Sequence, residues 1–236
     1  MSRSSNIGLF GCSNMYGYHH AFADAVLGID KLSCLNEYLD EHVYKTKSVG
    51  NKINADGRNI ENFSFPGVGN KFISSMIEEN LSRLDYVFVQ FSGLTRIDIK
   101  GLIDDWPFTE LDWMLSGGLK GSWMNYPQGV RVFNDLYDKN LDSIINANLD
   151  IVYDTLALLE AKSIPHNWCF YYDLQKTHEL EYHEPIKVKT NVNHVTPDPH
   201  TYCYAKGKGA DDGCHFLYDG YRDWLYDIKD QLNITL

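Results

Sequence analysis

The run Tyr86–Phe91 (YVFVQF) is the sequence feature that most restricts the fold. It is apolar at almost every position. Strands with one solvated face alternate apolar and polar residues, whereas strands of a parallel sheet are covered on both faces and are apolar throughout. The run therefore predicts a central strand of a parallel sheet, with helices packed on both sides of that sheet.

Strand-like and helix-like segments alternate along the 236 residues. The strands are predicted at about 5–11, 59–65, 86–91 and 168–172. The helices are predicted near 31–44, 69–82, 134–161 and 218–232. A further helix is expected directly after Ser13. This order predicts an α/β fold with a parallel sheet, in one domain that covers residues 1–236.

Two long segments interrupt the alternation. Residues 97–131 contain three tryptophans, and residues 174–210 contain three prolines and four histidines. We interpret both as loop insertions, which in α/β proteins usually lie at the carboxyl ends of the strands and bind ligands. The tryptophans are compatible with stacking on a sugar, and equally with an aromatic-rich core.

Composition excludes several classes of partner. A formal net charge of −11 disfavours binding to nucleic acid, which requires a cationic surface. No apolar run is long enough to span a bilayer, and the apolar stretch near the N-terminus is shorter than the core of a signal peptide. The five cysteines form no C-x-x-C pair, so we expect reduced thiols, no metal site and a cytoplasmic protein.

Two short motifs carry the residues with catalytic potential, GLFGCSNMYG at 8–17 and DDGCHFLYDG at 211–220. The first places Ser13 just after a predicted strand, and the second contains Asp212 and His215 in the spacing Asp-x-x-His. A serine hydroxyl becomes a good nucleophile when an imidazole accepts its proton and a carboxylate orients that imidazole. These three residues therefore form a candidate catalytic triad.

Each of these residues also has an ordinary structural interpretation. Ser13 is well placed to cap the helix that follows it. His215 is equally compatible with a surface position, and Asp212 with a turn. Cys12 and Cys214 flank the motif residues, and we expect both thiols to point into the core rather than to form a redox or metal pair.

The order of the motifs resembles that of the SGNH (GDSL-like) hydrolases. The matching segments are Gly11–Ser13, Asn62–Asn70 (NFSFPGVGN), the strand Asp85–Phe91, and Asp212–His215. The resemblance implies a flavodoxin-like three-layer αβα sandwich with about five parallel strands. It also implies hydrolysis of acetyl or acyl esters without a cofactor, on a small-molecule or carbohydrate substrate.

The resemblance assigns roles to individual residues. Ser13 is the nucleophile, His215 the general base and Asp212 the residue that orients it. The oxyanion formed on the substrate would accept hydrogen bonds from the N–H groups of Ser13 and Gly67, with Gly69 as the weaker alternative to Gly67.

The third block of the family departs from the pattern. The family has Gly-x-Asn-Asp where this chain has Ser92-Gly-Leu-Thr95, so the side-chain amide donor is missing. Ser92, Thr95 or Arg96 could donate in its place, the site could use two backbone donors, or the protein could be inactive. We favour a substitute donor, with Ser92 as the oxyanion candidate, and assign Asn14 and Arg96 to substrate binding.

The predicted function is a serine esterase that removes an acetyl or short-acyl group. Two alternatives remain open from the sequence. One is a non-catalytic binding or structural protein that kept the fold, and the other is an acyltransferase that uses the same triad but excludes water.

Overall fold

The computed structural model describes residues 5–12, 15, 19–29, 51–55, 57–65, 67–100, 113–114, 141–172, 174, 186–209 and 216–234. The helix predicted at 31–44 lies outside these ranges. So do most of the 97–131 insertion and the first part of the helix predicted at 134–161.

The described residues form an alternating series of strands and helices. The strands are β1 (Ser5–Phe10), β2 (Asn51–Ala55), β3 (Arg58–Asn62), β4 (Tyr86–Phe91), β5 (Ile99–Lys100), β6 (Trp113–Met114) and β7 (His166–Phe170). The helices are α1 (His19–Leu27), α2 (Asn70–Asn80), α3 (Leu141–Ala161), α4 (Pro199–Ala205) and α5 (Tyr218–Ile228). Short 3₁₀ turns extend α2 and α5, at Leu81–Arg83 and Lys229–Gln231.

Strands β3, β1, β4 and β7 form an all-parallel sheet in that order. The five helices flank this sheet, which confirms the predicted α/β fold with a central parallel sheet. Strand β2 adds to the β3 edge in the antiparallel direction, as a hairpin. Strand β2 was not predicted from the sequence, because its residues, NKINA, are mostly polar and show no continuous apolar run.

The two faces of the sheet carry two separate cores, which explains why β4 is apolar throughout. All six of its residues are buried. Val87, Val89 and Phe91 pack among side chains of α2 and α3. Tyr86 and Phe88 pack on the other face, where Phe88 lies between Phe22 of α1 and Trp224 of α5, with ring centroids 5.7 and 6.3 Å away. Helix α4 also joins this second face.

Strand β7 begins two residues earlier than predicted and ends two residues earlier. It pairs with β4 from Val87–His166 to Phe91–Phe170, so its neighbour sets its length. The predicted strand begins at the first apolar residue of the run, Trp168. Asn167 is nevertheless buried in the strand, because its amide donates to the carbonyl oxygens of Asn193 and Gln231 at 3.2 and 3.1 Å.

The prediction that residues 174–210 are loop throughout was wrong for the helix α4. Asp198 caps this helix by accepting a hydrogen bond from the Thr201 N–H at 2.8 Å, and Pro199 occupies its first turn. These are standard signals for a helix start. Just before it, Trp168 of β7 forms a parallel bridge with His194, so this part of the segment packs along the sheet.

The longest described helix is α3, with 21 residues. Among the helices in the described ranges, none combines the length and the apolar character needed to cross a bilayer.

Candidate active site

Four of the predicted site residues, Ser13, Asn14, Asp212 and His215, lie outside the described residues. Their nearest described neighbours in the chain can be placed. Cys12 and Met15 are fully buried on either side of Ser13 and Asn14. Gly209 and Phe216 form an antiparallel bridge on either side of the segment that holds Asp212 and His215.

The two motif regions meet through described side chains. The Tyr221 hydroxyl donates to Met15 Sδ at 3.3 Å, although the two residues are 206 positions apart in the chain. The Phe216 ring stacks nearly parallel to that of Tyr221, with centroids 6.0 Å apart and an interplanar angle of 12°. Met15, two positions after Ser13, is thus linked through Tyr221 to Phe216, the residue that follows His215.

The meeting point lies beyond the carboxyl end of β1, beside β4. Here the chain order of the strands changes direction, since β3 lies on one side of β1 and β4 on the other. Ligands of open α/β sheets bind at such points. Gly11 allows the turn to pack closely, because a Cβ atom on it would lie 2.7 Å from Met15 Cβ and 3.3 Å from Gln90 Cβ.

The next described element of the site is the turn Gly67–Gly69, which joins the end of β3 to α2. Gly67 has a φ of 80°. Two hydrogen bonds fix the peptide group between Val68 and Gly69. Arg96 Nη1 donates to the Val68 carbonyl oxygen at 2.8 Å. The Gly69 N–H donates to Asp98 Oδ1 at 2.9 Å. Because the Gly69 N–H already has an acceptor, this geometry favours Gly67 over Gly69 as the oxyanion donor.

Asp98 holds the N-terminus of α2. The first residue of the helix follows Gly69, which has no side chain to cap it, and Asp98 supplies the cap from the end of the segment after β4. Its Oδ2 also accepts the Phe72 N–H at 3.0 Å. Burial raises the pKa of Asp98 to about 6, and the two N–H groups and the charges of Arg96 and Lys71 oppose that rise. Asp98 was not predicted as a site residue; the signal in the sequence was that α2 begins after a glycine, which has no side chain to cap the helix.

Ser92, the predicted substitute donor, is fully buried at the end of β4. Its backbone N–H donates to Asn70 Oδ1 at 2.8 Å, and Asn70 Nδ2 lies 3.3 Å from Asn148 Oδ1. Asn70 therefore ties the end of β4 to α2 and α3. The Ser92 hydroxyl, by contrast, has no hydrogen-bond partner among the described residues.

The Ser64 hydroxyl, just after β3, and the amide of Gln90 in β4 are also buried without a hydrogen-bond partner among the described residues. Buried polar groups are usually paired, so each exception calls for an explanation. All three lie at or near the carboxyl ends of β3 and β4, the edge at which the candidate site is placed.

Asn62 connects the end of β3 to two described residues that follow Ser13 in the chain, Met15 and His19. Its Nδ2 donates to the Met15 carbonyl oxygen at 3.1 Å and lies 3.4 Å from His19 Nδ1. His19 is buried at the start of α1, and burial together with the neighbouring His20 lowers its pKa to about 3. His19 is therefore neutral near pH 7. Asn62 belongs to the second matching segment, Asn62–Asn70, but this role was not predicted from the sequence.

In the part of the chain that the structure describes, no group of three or more His, Cys, Asp or Glu residues is placed to hold a metal ion. A comparison with protein-family models found no match, and a comparison with curated proteins found none either.

Proposed function

We propose that this protein is a serine esterase of the SGNH type that hydrolyses an acetyl or short-acyl ester of a small molecule or carbohydrate. Ser13 is the nucleophile, His215 the general base and Asp212 its orienting carboxylate. The observation that supports this most strongly is the contact between Met15 and Tyr221. It joins the chain neighbours of Ser13 to those of His215, as a Ser-His pair would require.

The sheet order supports the finer fold assignment. Numbered along the chain, the parallel strands β3, β1, β4 and β7 have the order 2-1-3-4. The parallel bridge at His194 adds a fifth position beside β7. The flavodoxin-like order is 2-1-3-4-5. We therefore assign the chain to a flavodoxin-like three-layer sandwich, in a single domain over residues 1–236.

The proposed reaction proceeds in two steps. Ser13 Oγ attacks the ester carbonyl carbon while His215 takes the proton of the Ser13 hydroxyl. The oxyanion that forms accepts hydrogen bonds from the backbone N–H groups of Ser13 and Gly67. The bond to the leaving alcohol then breaks, and His215 returns the proton to that alcohol. In the second step water, deprotonated by His215, attacks the acyl-serine, which releases the acid and restores Ser13. Arg96 and Asp98 position the Gly67 turn.

The test compares Ser13→Ala with Ser75→Ala, a change of the same kind on the solvent-facing side of α2. Purified proteins are assayed on short-acyl p-nitrophenyl esters and labelled with a fluorophosphonate. We expect Ser13→Ala to lose about 10³-fold or more in kcat and all labelling, because a triad without its nucleophile keeps little activity. Ser75→Ala should match the wild type.

Equal turnover in the Ser13→Ala protein would refute the assignment. A wild-type protein that neither turns over esters nor reacts with the probe would favour the non-catalytic interpretation, for which the missing third-block amide is the main support. If labelling succeeds but an added alcohol captures the acyl group in preference to water, the enzyme is an acyltransferase.

A further inference from the structure

We propose that Gln90 is an oxyanion donor of this site, with its side-chain amide N–H directed at the oxygen that becomes negative when Ser13 attacks the substrate. This inference rests on the proposed esterase function. It adds a donor that the motif comparison did not indicate, since Gln90 lies inside the strand β4 and not in the segment after it.

The Gln90 side-chain amide is buried without a hydrogen-bond partner in the described part of the chain. Gln90 has no exposed surface, and neither Oε1 nor Nε2 has a hydrogen-bond partner among the described residues. A buried amide in that state destabilises the fold, because water is lost and nothing replaces it. An apolar residue of similar size would be the more stable choice at this position. A side chain that is costly to the fold and lies in a candidate site is most simply explained by its chemistry.

Gln90 also lies close to the turn that follows β1. Gln90 lies on the same face of β4 as Phe88, which packs against α1 and α5. Its Cβ atom and carbonyl oxygen lie 3.3 and 3.2 Å from the point where a Cβ on Gly11 would be. Gly11 is two residues before Ser13, and Met15 Cβ lies 2.7 Å from the same point. Gln90 is therefore packed against the turn that carries the proposed nucleophile.

The side-chain amide of Gln90 has the chemistry that an oxyanion donor needs. Glutamine and asparagine amides serve as oxyanion donors because they are neutral in the ground state and need no reorganisation when the charge develops. A fully buried amide is especially effective, since the low local dielectric strengthens a hydrogen bond to an anion. Rotation of the amide group lets the nitrogen occupy either terminal position. The Nε2 group thus gains its acceptor only when the substrate reacts.

The experiment uses Gln90→Met, which keeps the volume of the side chain and removes the donor. We expect kcat on a short-acyl p-nitrophenyl ester to fall by about 10²-fold or more, with a much smaller change in KM, because the lost bond exists only in the transition state. The midpoint of thermal unfolding should stay equal or rise, because the substitution removes an unpaired buried amide.

A matched control is available on the neighbouring strand. Asn167 of β7 is also fully buried, but its amide is paired with two carbonyl oxygens, and its Oδ1 accepts the Tyr86 hydroxyl at 2.9 Å. Asn167→Leu should lower the unfolding midpoint and leave kcat unchanged below that temperature. Gln90→Met is thus expected to lower the rate without lowering the unfolding midpoint, and Asn167→Leu to lower the unfolding midpoint without changing the rate. Gln90→Glu, which replaces the donor by an oxygen at the same size, should lose kcat as Gln90→Met does.

The outcomes separate this inference from the function on which it rests. If the wild type shows no Ser13-dependent turnover, both proposals are refuted. If turnover depends on Ser13 but Gln90→Met and Gln90→Glu retain full kcat, only the role of Gln90 is refuted. The same conclusion follows if Gln90→Met lowers the unfolding midpoint as much as Asn167→Leu does, because the amide would then have a structural partner such as a buried water.

Discussion

At the scale of single residues, the segment after β4 stabilises α2 with a carboxylate from a distant part of the chain. Asp98 is only 4% exposed, and it accepts the N–H groups of Gly69 and Phe72. Helix N-termini favour a negative charge, whereas burial favours the neutral acid. Because burial is the larger effect here, the folded protein holds the Asp98 proton more tightly than the unfolded chain does.

This balance predicts a pH-dependent contribution to stability. Well below pH 3.8 both states carry the neutral acid, and as pH rises from there towards 6 only the unfolded chain loses its proton, so stability falls. A rise in pKa from 3.8 to about 6 corresponds to a loss of about 3 kcal/mol, nearly complete by about pH 7. The Asp98→Asn variant lacks this titration, so its unfolding free energy relative to wild type should increase by that amount from about pH 3 to about pH 7.

The measurement is urea unfolding of both proteins across this pH range. Asp142→Asn, at an exposed position in the first turn of α3, controls for the removal of one negative charge. Parallel pH curves for the wild type and the Asp98→Asn variant would show that Asp98 has the same proton affinity in the folded and unfolded states.

At the scale of elements, the turn after β1 is closely packed between its neighbours. It must bring the chain from the end of β1 to α1 while packing against β4, and Gly11 makes this possible. Asn62 of β3 holds the same turn from the other side through the Met15 carbonyl. The turn is thus held between the two strands that neighbour β1.

Gly11→Ala should therefore reduce both stability and activity. The added Cβ would lie 2.7 Å from Met15 Cβ, which forces a shift and costs about 1–3 kcal/mol. Because the shift displaces the segment that carries Ser13, we expect kcat to fall by about 10-fold or more even at temperatures where the variant is folded. Unfolding curves and ester turnover measure the two effects.

Gly57→Ala separates the two effects. Gly57 has a φ of 75° in the β2–β3 turn, and a Cβ there would meet nothing within 4 Å. The strain that alanine would have in that conformation costs about 1–2 kcal/mol, which is similar to the loss of stability expected for Gly11→Ala. Gly57 lies at the opposite end of β3 from the proposed site. If Gly57→Ala lowers kcat as much as Gly11→Ala does, activity follows general stability rather than the position of the turn.

At the scale of the whole molecule, α5 brings the end of the described chain back to its beginning. Helices α1 and α5 pack together on one face of the sheet, and Tyr221 and Trp224 are fully buried there. The Trp224 indole N–H donates to the Pro197 carbonyl oxygen at 2.7 Å, which joins α5 to the segment before α4. The proposed active site depends on this arrangement, because its nucleophile and its base come from opposite ends of the sequence.

A double-mutant cycle tests the contact between the two ends. Met15→Leu and Tyr221→Phe should each destabilise the protein, and together they should cost less than the sum, with a coupling energy of about 0.5 kcal/mol or more. The reason is that each single change already removes the same hydrogen bond of 3.3 Å. Chemical denaturation of the four proteins provides the energies.

Tyr86→Phe serves as the matched second site. It removes a hydroxyl of the same kind, which donates to Asn167 and not to Met15. Its effect should add to that of Met15→Leu without coupling. Strict additivity in the Met15–Tyr221 pair as well would mean that the two ends do not meet through this contact.

The sequence by itself determined the central strand, the helices α1, α2, α3 and α5 around it and the parallel class of the sheet, but not α4. These follow from local patterns: the continuous apolar run of β4 and the helical spacing of apolar residues in α2, α3 and α5 depend only on neighbours in the chain. The bounds differed mainly where a buried strand contains polar residues, as in β7, or where a strand is polar, as in β2.

Only the tertiary structure decided which polar residues have partners. Asp98, Asn62 and Asn167 are paired with groups far away in the chain, whereas the Gln90 amide, buried beside Gly11, has no such partner within the described ranges. In the sequence these residues look alike, because a polar side chain does not show whether it will be buried. Strand order and register settle that question, since they bring distant segments within hydrogen-bond distance of one another or leave a gap between them.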